Sequence, residues 1–342
     1  MKRGFACSLL LAGCAACGRP ASELTRLEGA TMGTTYSVQI VDLPGASSRG
    51  DLHARVHGAL RAIERRMSTY DQGSELSRFN ASDSTEWFPV SPDTLEVVAE
   101  ALRVSRLSGG AFDVTVGSLV ALWGFGPGGT RRRPPPEAIA AALGEVGFER
   151  LETRASPPAI RKRVSGVSVD LSAIAKGFAV DEVARLLVAA GARDFLVEVG
   201  GELRASGRNP RGEPWRVAVE RPPPAQRAAP CLLHLLDAAV ASSGDYRNAF
   251  EEQGVRYTHV IDPRTGRPVS TGVASATVLA ASAMEADAFA TALMVLAPAE
   301  GLRLAERQGL AARILVRTDG GFVEHSTPRF PERAPSHGHF PR

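Results

Sequence analysis

In the stretch SAMEADAFATALMVLA, Ser282 to Ala297, an aspartate and a threonine sit four residues apart among side chains suited to a buried helix. Ser282 and Glu285 have the spacing of a capping box, which already serves the first free backbone amides. Asp287 therefore lies beyond the first turn, where the dipole of its own helix offers a carboxylate little. Positions i and i+4 share a helical face, so Asp287 and Thr291 present their oxygens side by side. A buried, unpaired carboxylate costs roughly several kcal/mol, so a cation is expected in front of it. A hard divalent ion, Mg²⁺ above all, suits two oxygens from one helix completed by substrate phosphates. The competing reading is a polar edge turned to solvent, which amphipathic helices routinely carry.

Two further stretches carry groups of the same chemistry. DLSAIAKGFAVDEV sets Asp170 at a strand end and Lys176 near a helix start, where amides and an ammonium can meet a pyrophosphate. Lys2, Lys162 and Lys176 are the only lysines, so a lysine kept inside a motif of an arginine-rich chain is suggestive of a point charge on phosphate. YTHVIDPRTGRPV is rich in turn formers that can hold His259 at a strand end, and an imidazole is apt as a general base near neutral pH. A helix start with a solvated lysine and a structural histidine are the plainer readings of both. The four tyrosines, Tyr36, Tyr70, Tyr246 and Tyr257, are candidates for stacking on a flat ring, although core packing explains them equally well. Ser243, His259 and Asp262 supply the residue types of a hydrolase triad, but no G-x-S-x-G elbow accompanies them. No P-loop, no G-x-G-x-x-G between strand and helix, and no H-E-x-x-H is present.

The elements that must position these groups alternate without strict βαβ order. TMGTTYSVQIV reads as a strand, DLHARVHGALRAIERRMSTY and SPDTLEVVAEALRVSRLSGG as helices, and GVSVDLSAIAKGFAVDEVARLLVAAGARDFLVEVGGELRASG as strand, helix, strand, turn and strand. Ser91 or Asp93 can cap the second of these helices, and Gly109-Gly110 stop it. PWRVAVE, AVASSG and RYTHVIDP are short strands before the helix of Asp287. This mixture predicts an α+β fold, one large mixed domain. At 342 residues and 44% hydrophobic content the chain can bury a substantial core, and a net charge of +3 argues against a nucleic-acid surface.

The first residues, MKRGFACSLLLAGCAACGRP, pair a short basic start with an apolar run too short to span a bilayer, the anatomy of an export signal. Leu11-Ala12-Gly13-Cys14 resembles a bacterial lipobox, which implies cleavage before Cys14 and a lipid anchor on its thiol. The expected organisation is a signal peptide at 1–13, a tether at 14–27, the folded domain at 28–326 and a flexible tail at 327–342, facing the periplasm or another extracytoplasmic space.

Taken in order, MGTTYSV, MSTYDQGSELSRFN, GGAFDVTVGSLVALWGFGP, DLSAIAKGFAVDEVA, VEVGGELRASGRN, SSGDYR, YTHVIDPRTGRPV and ASAMEADAFATALMVL resemble the ApbE family of flavin transferases from about Glu28 to about Arg317. The resemblance implies a Mg²⁺-dependent enzyme that cleaves FAD and attaches the FMN half to a threonine hydroxyl of a partner protein, releasing AMP. It implies partners among the subunits of membrane redox complexes and related electron carriers. By matching motif, Met32, Tyr70, Ala111, Phe112, Asp113, Asp170, Lys176 and Ile261 resemble the family's FAD contacts. Asp287 and Thr291, with a backbone oxygen from about Ala173, resemble its metal ligands, and His259 its hydroxyl-activating histidine. Ser172-Ala173 stand where the family commonly has a glycine pair, and Ser242 where it commonly has threonine. Two other outcomes remain open at this level: FAD pyrophosphatase activity with water as acceptor, and a lipid-anchored flavin carrier without chemistry.

Overall fold

The computed structural model describes residues 22–43, 45, 48–222, 231–246 and 248–331. The chain begins with the hairpin β1 (Leu24–Thr31) and β2 (Thr34–Val41), then α1 (Arg49–Met67), α2 (Glu75–Ala81), β3 (Phe88–Pro89), α3 (Pro92–Leu107), α4 (Gly117–Leu122) and α5 (Pro136–Leu143). Next come β4 (Leu151–Arg154), β5 (Ala159–Lys162), α6 (Ala175–Ala189), β6 (Phe195–Val199), β7 (Glu202–Ser206), β8 (Trp215–Val219) and β9 (Cys231–Leu235). β10 (Ala238–Gly244), β11 (Ala249–Glu252), β12 (Val255–Thr258), β13 (Ile261–Asp262), β14 (Arg267–Pro268) and β15 (Val273–Ala280) follow. The last elements are α7 (Ala283–Val295), α8 (Pro298–Arg307), β16 (Ala311–Thr318) and β17 (Gly321–Ser326).

Eight strands form one sheet in the order β1-β2-β6-β7-β10-β15-β16-β17, and every neighbouring pair is antiparallel. An antiparallel sheet with separate helices is the expected α+β class. Alternation along the strands sends side chains to two different cores. Val38, Ile40, Val197 and Val199 join the large core built with α1, α3, α6 and α7, whereas Val41, Leu196, Ala205 and Val240 pack with the β8–β9 hairpin. A third, smaller cluster gathers Leu119, Trp123, Phe125, Ile139, Val146 and Ile261 around α4 and α5.

Serine side chains cap four of the eight α-helices among the described residues at their starts. Ser48, Ser74 and Ser91 each accept an amide of the first turn of α1, α2 and α3 through the side chain. The Ser282 hydroxyl likewise accepts from the Glu285 amide at 3.2 Å. The expected capping box is only half made, because the Glu285 carboxylate turns away to the Arg103 guanidinium at 2.7 Å.

Two boundaries are corrected. Leu24–Leu27, expected in the tether, open β1 and pair with β2, and Leu27 is buried. The buried positions of β1 are Thr25, Leu27 and Thr31, with one large apolar residue among them, so the face goes unnoticed until β2 lies beside it. At the other end, the Thr327 hydroxyl accepts from the Ala312 amide at 2.9 Å and Phe330 is buried in the second core, so residues 327–330 are part of the folded unit rather than tail. The expected signal peptide, Cys14 and the rest of the tether and of the tail lie outside the described residues. Among the described residues, no helix is long and apolar enough to cross a membrane.

Candidate active site

The site is built where α6 and α7 cross. Gly177 in the first turn of α6 lies so close to α7 that a Cβ there would stand 2.3 Å from the Ala283 carbonyl oxygen. This approach lets the helices exchange caps. The Ala283 and Met284 amides at the start of α7 donate to Asp181 of α6, at 3.1 and 2.9 Å. In return the Gly177 amide donates to Asp287 Oδ2 at 3.1 Å. Asp287 thus sits in the field of a helix N-terminus after all, that of α6 rather than its own.

Asp287 is 3% exposed, which rules out the solvated-edge reading. Burial first pushes its carboxyl above the usual carboxylate range, while nearby Lys176 and the Gly177 amide pull the other way. One turn on, Thr291 Oγ1 meets Ser243 Oγ of β10 at 3.1 Å, which fixes the hydroxyl on the same helix face.

A cleft of about 360 Å³ opens over this face, the size range of small-molecule sites. Asp287, Thr291, Ala173, Lys176, His259 and Ser243 line it, as do Tyr70, Ala111, Phe112, Asp113, Asp170 and Ile261. Every expected site residue except Met32 therefore shares one cavity. Met32 occupies the two-residue turn of the β1–β2 hairpin with φ 49°, followed by Gly33 at φ 70°, a conformation that matches the twist of the strands. Its amide is tied to Glu64 Oε1, and its side chain packs partly against the main core.

The cleft walls come from distant segments stitched together. The Asp170 amide donates to the Val114 carbonyl at 2.8 Å and the Gly117 amide to the Ser168 carbonyl at 3.0 Å, joining the loops of Asp113 and Asp170. Asp113 Oδ1 accepts from both the amide and the hydroxyl of Thr115, and burial raises its carboxyl despite these bonds. Tyr70 stands at the mouth, 69% exposed, and is the only tyrosine in the cleft lining among the described residues. Tyr36 is in the core with its hydroxyl at His53, and Tyr257 stacks on Phe250 with ring centroids 5.2 Å apart.

His259 follows β12 directly. Its amide and its ring Nδ1 both lie 3.0 Å from the Asn248 carbonyl. A carbonyl only accepts, so Nδ1 carries the proton and Nε2 keeps a lone pair, the tautomer of a base. Burial, above all, holds the imidazole below its ordinary value of 6.5, and the positive charges of Lys176 and Arg131 act in the same sense. The triad of Ser243, His259 and Asp262 does not exist: the serine bonds to Thr291, and Asp262 holds Arg264 at 2.9 Å.

Sequence reading missed Glu202. This carboxylate follows the Gly200-Gly201 turn inside VEVGGELRASG, is 2% exposed, lines the cleft and holds the Lys176 ammonium at 2.6 Å. Burial and then the neighbouring Asp287 push its carboxyl up to about 8, against the pull of Lys176. Asn248 was also passed over, and Ser243 was weighed only for a hydrolase triad. Their partners lie 11 and 48 residues away, so only the folded chain reveals their roles.

Among the described residues no three His, Cys, Asp or Glu side chains converge to hold a metal. What the Asp287 face of the cleft offers instead is one carboxylate, the Thr291 hydroxyl and the loop backbone at Ala173, all hard oxygen donors. That set suits an ion which keeps waters and completes its shell on phosphate.

The model of the ApbE family matches residues 32–314. A relative from Vibrio cholerae named FAD:protein FMN transferase is 45% identical over 323 residues, covering 94% of this chain and 95% of its own. One of the same name from Haemophilus influenzae is 42% identical, with 92% and 93% covered. The solved structure of the flavin transferase ApbE from Vibrio cholerae superposes with a TM-score of 0.84 at 43% identity, over 90% of this chain and 98% of that one. The apo form of the flavinyl transferase ApbE from Pseudomonas stutzeri gives 0.83 at 41% identity, over 90% and 95%.

Proposed function

The chain belongs to the ApbE family, and we propose that it transfers the FMN half of FAD to a threonine hydroxyl of another protein, releasing AMP. The observation that carries this reading is the meeting, in one cleft, of a histidine with a free Nε2, a lysine and the Asp287–Thr291 face. The relatives named above carry the same activity in their names.

Asp287, Thr291 and the backbone oxygen at Ala173 are the groups that would hold Mg²⁺. When bound, such an ion neutralises charge on the diphosphate and on the departing phosphate. Asp287 fits that role because it has no salt bridge among the described residues, only the Gly177 amide. Lys176, second residue of α6, brings its charge to the wall where the helix N-terminus also favours phosphate. His259 Nε2 takes the proton of the incoming hydroxyl as its oxygen attacks the FMN-side phosphorus. The bond broken joins that phosphorus to the bridging oxygen, which leaves with its electron pair on AMP. Met32, Tyr70, Ala111, Phe112, Asp113, Asp170 and Ile261 are read as contacts to FAD, with the exposed Tyr70 ring suited to stacking on the flavin.

The acceptors we propose are threonine-bearing subunits of membrane redox complexes or related electron carriers. The lipobox-like Leu11-Ala12-Gly13-Cys14 supports export and a lipid anchor facing the extracytoplasmic side. The test is to incubate the chain, lacking residues 1–21, with FAD, Mg²⁺ and an acceptor protein. The acceptor should fluoresce on a denaturing gel; AMP with free FMN and a dark acceptor band would make the chain a pyrophosphatase, and no turnover a carrier.

A further inference from the structure

Besides Asp113, the cleft holds two buried carboxylates, Glu202 and Asp287, and one lysine as the only Lys or Arg in its lining among the described residues. Both carboxyls feel the charge of Lys176. The ammonium nevertheless binds only one of them within salt-bridge distance, Glu202 Oε1 at 2.6 Å. The turn before Glu202 guides this choice. Gly200 is at φ 61°, which strains any other residue, and a Cβ there would press on Thr34 Cγ2 at 2.9 Å and Lys176 Cδ at 3.2 Å, so the turn passes directly beside the lysine stem. A lysine has four rotatable bonds, and a free one would settle on the nearest uncompensated buried charge. That charge is Asp287.

A bridge made for stability alone would satisfy both carboxylate oxygens, since burying an ion pair is otherwise hard to recover. Glu202 Oε2 has no hydrogen-bond partner among the described residues. The pair is therefore poorly explained as scaffold.

We propose that Glu202 is a positioning residue that holds Lys176 away from Asp287, leaving that carboxylate free for a divalent cation and the ammonium beside Glu202 for phosphate. The inference rests on the metal-assisted reading above, but its test needs neither FAD nor an acceptor protein. Mn²⁺ binding to the metal-stripped chain at pH 8.5 under argon, where Glu202 is ionised, followed by loss of the free-ion electron paramagnetic resonance signal, is compared in four proteins: unmodified, Glu202→Gln, Lys176→Met and the double variant. Glu202→Gln should weaken Mn²⁺ by about tenfold or more, the usual scale for groups that orient a ligand. In the Lys176→Met background the same change should cost no more than about twofold, the non-additivity expected of two side chains in contact. An equal loss in both backgrounds would mean that Glu202 acts by its own charge, and no loss in either would mean it has no part; both overturn the proposal. If Glu202→Gln does not fold by circular dichroism, Glu202→Asp serves, with the same rescue by Lys176→Met expected. Failure of the unmodified chain to bind Mn²⁺ would remove the proposal and the metal assignment together, while leaving the flavin transfer assay to be judged by its own result.

Discussion

Asp181 and Asp287 cap each other's helices: the first takes two amides at the start of α7, and the second takes the Gly177 amide at the start of α6. The exchange locks the crossing that sets the floor of the cleft. The two carboxylates differ in one respect. Asp181 also has the Arg204 guanidinium at 2.5 Å, whereas Asp287 has no such partner among the described residues.

Asp287→Asn should leave the fold in place, because the amide oxygen can still accept from Gly177 and the buried charge is gone. Metal-dependent transfer should drop by about a hundredfold or more, as for loss of a group bound directly to the ion's site. Thermal unfolding of the metal-free protein should show a midpoint equal to or above that of the unmodified chain. A clearly lower midpoint would mean that Asp287 is there for the scaffold.

Gly177→Ala tests the crossing itself. Its Cβ meets backbone atoms, the Ala283 carbonyl oxygen at 2.3 Å and Met284 Cα at 2.7 Å, which cannot swing aside as a side chain would. Overpacking of this kind costs about 1–3 kcal/mol. Denaturant unfolding should register that loss, together with weaker Mn²⁺ binding, since the Asp287 partner moves.

The imidazole of His259 lies below its ordinary 6.5, chiefly through burial. A base works above its pKa, so the acid limb of kcat/KM for transfer should have its midpoint below pH 6.5. The linkage has a matching sign: a depressed histidine contributes stability above 6.5 that is lost as pH falls through its folded value. His259→Ala should lower kcat by about 10²–10⁴-fold, the usual contribution of a positioned base, with FAD binding by fluorescence quenching little changed.

Glu202 predicts the opposite slope. Its carboxyl rises from 4.5 to about 8, so the native state holds the proton more tightly than the unfolded chain. That contribution is whole below pH 4.5 and disappears as pH rises through about 8. Urea unfolding of the metal-free chain between those limits should show stability declining with pH, and Glu202→Gln should flatten the decline.

Much of the site is legible along the chain because its signals are local. Asp287 and Thr291 share a face through helix periodicity alone, Lys176 falls at a helix start, and serine caps lie within three residues of the amides they serve. The groups that orient them are not legible in this way. Gly177 and Asp287 are 110 residues apart, and Asp181 and Ala283 are 102 apart. Glu202 lies in a motif that reads as a plain hairpin until Lys176 is brought over its turn. The same holds for β1: LTRLEGAT resembles a linker until β2 and the core face of Leu27 make it a strand.

The central claim is that the Asp287 face of α7 holds a divalent cation against the diphosphate of FAD. It is tested most directly by a crystal structure of the chain with FAD and Mn²⁺, using the anomalous signal of the metal. The account predicts a peak bonded to Asp287, Thr291 and a diphosphate oxygen, with Lys176 on the far side of the phosphates. A diphosphate bound with no metal peak at Asp287, or an Asp287 carboxylate engaged only by the Gly177 amide and Lys176, contradicts it.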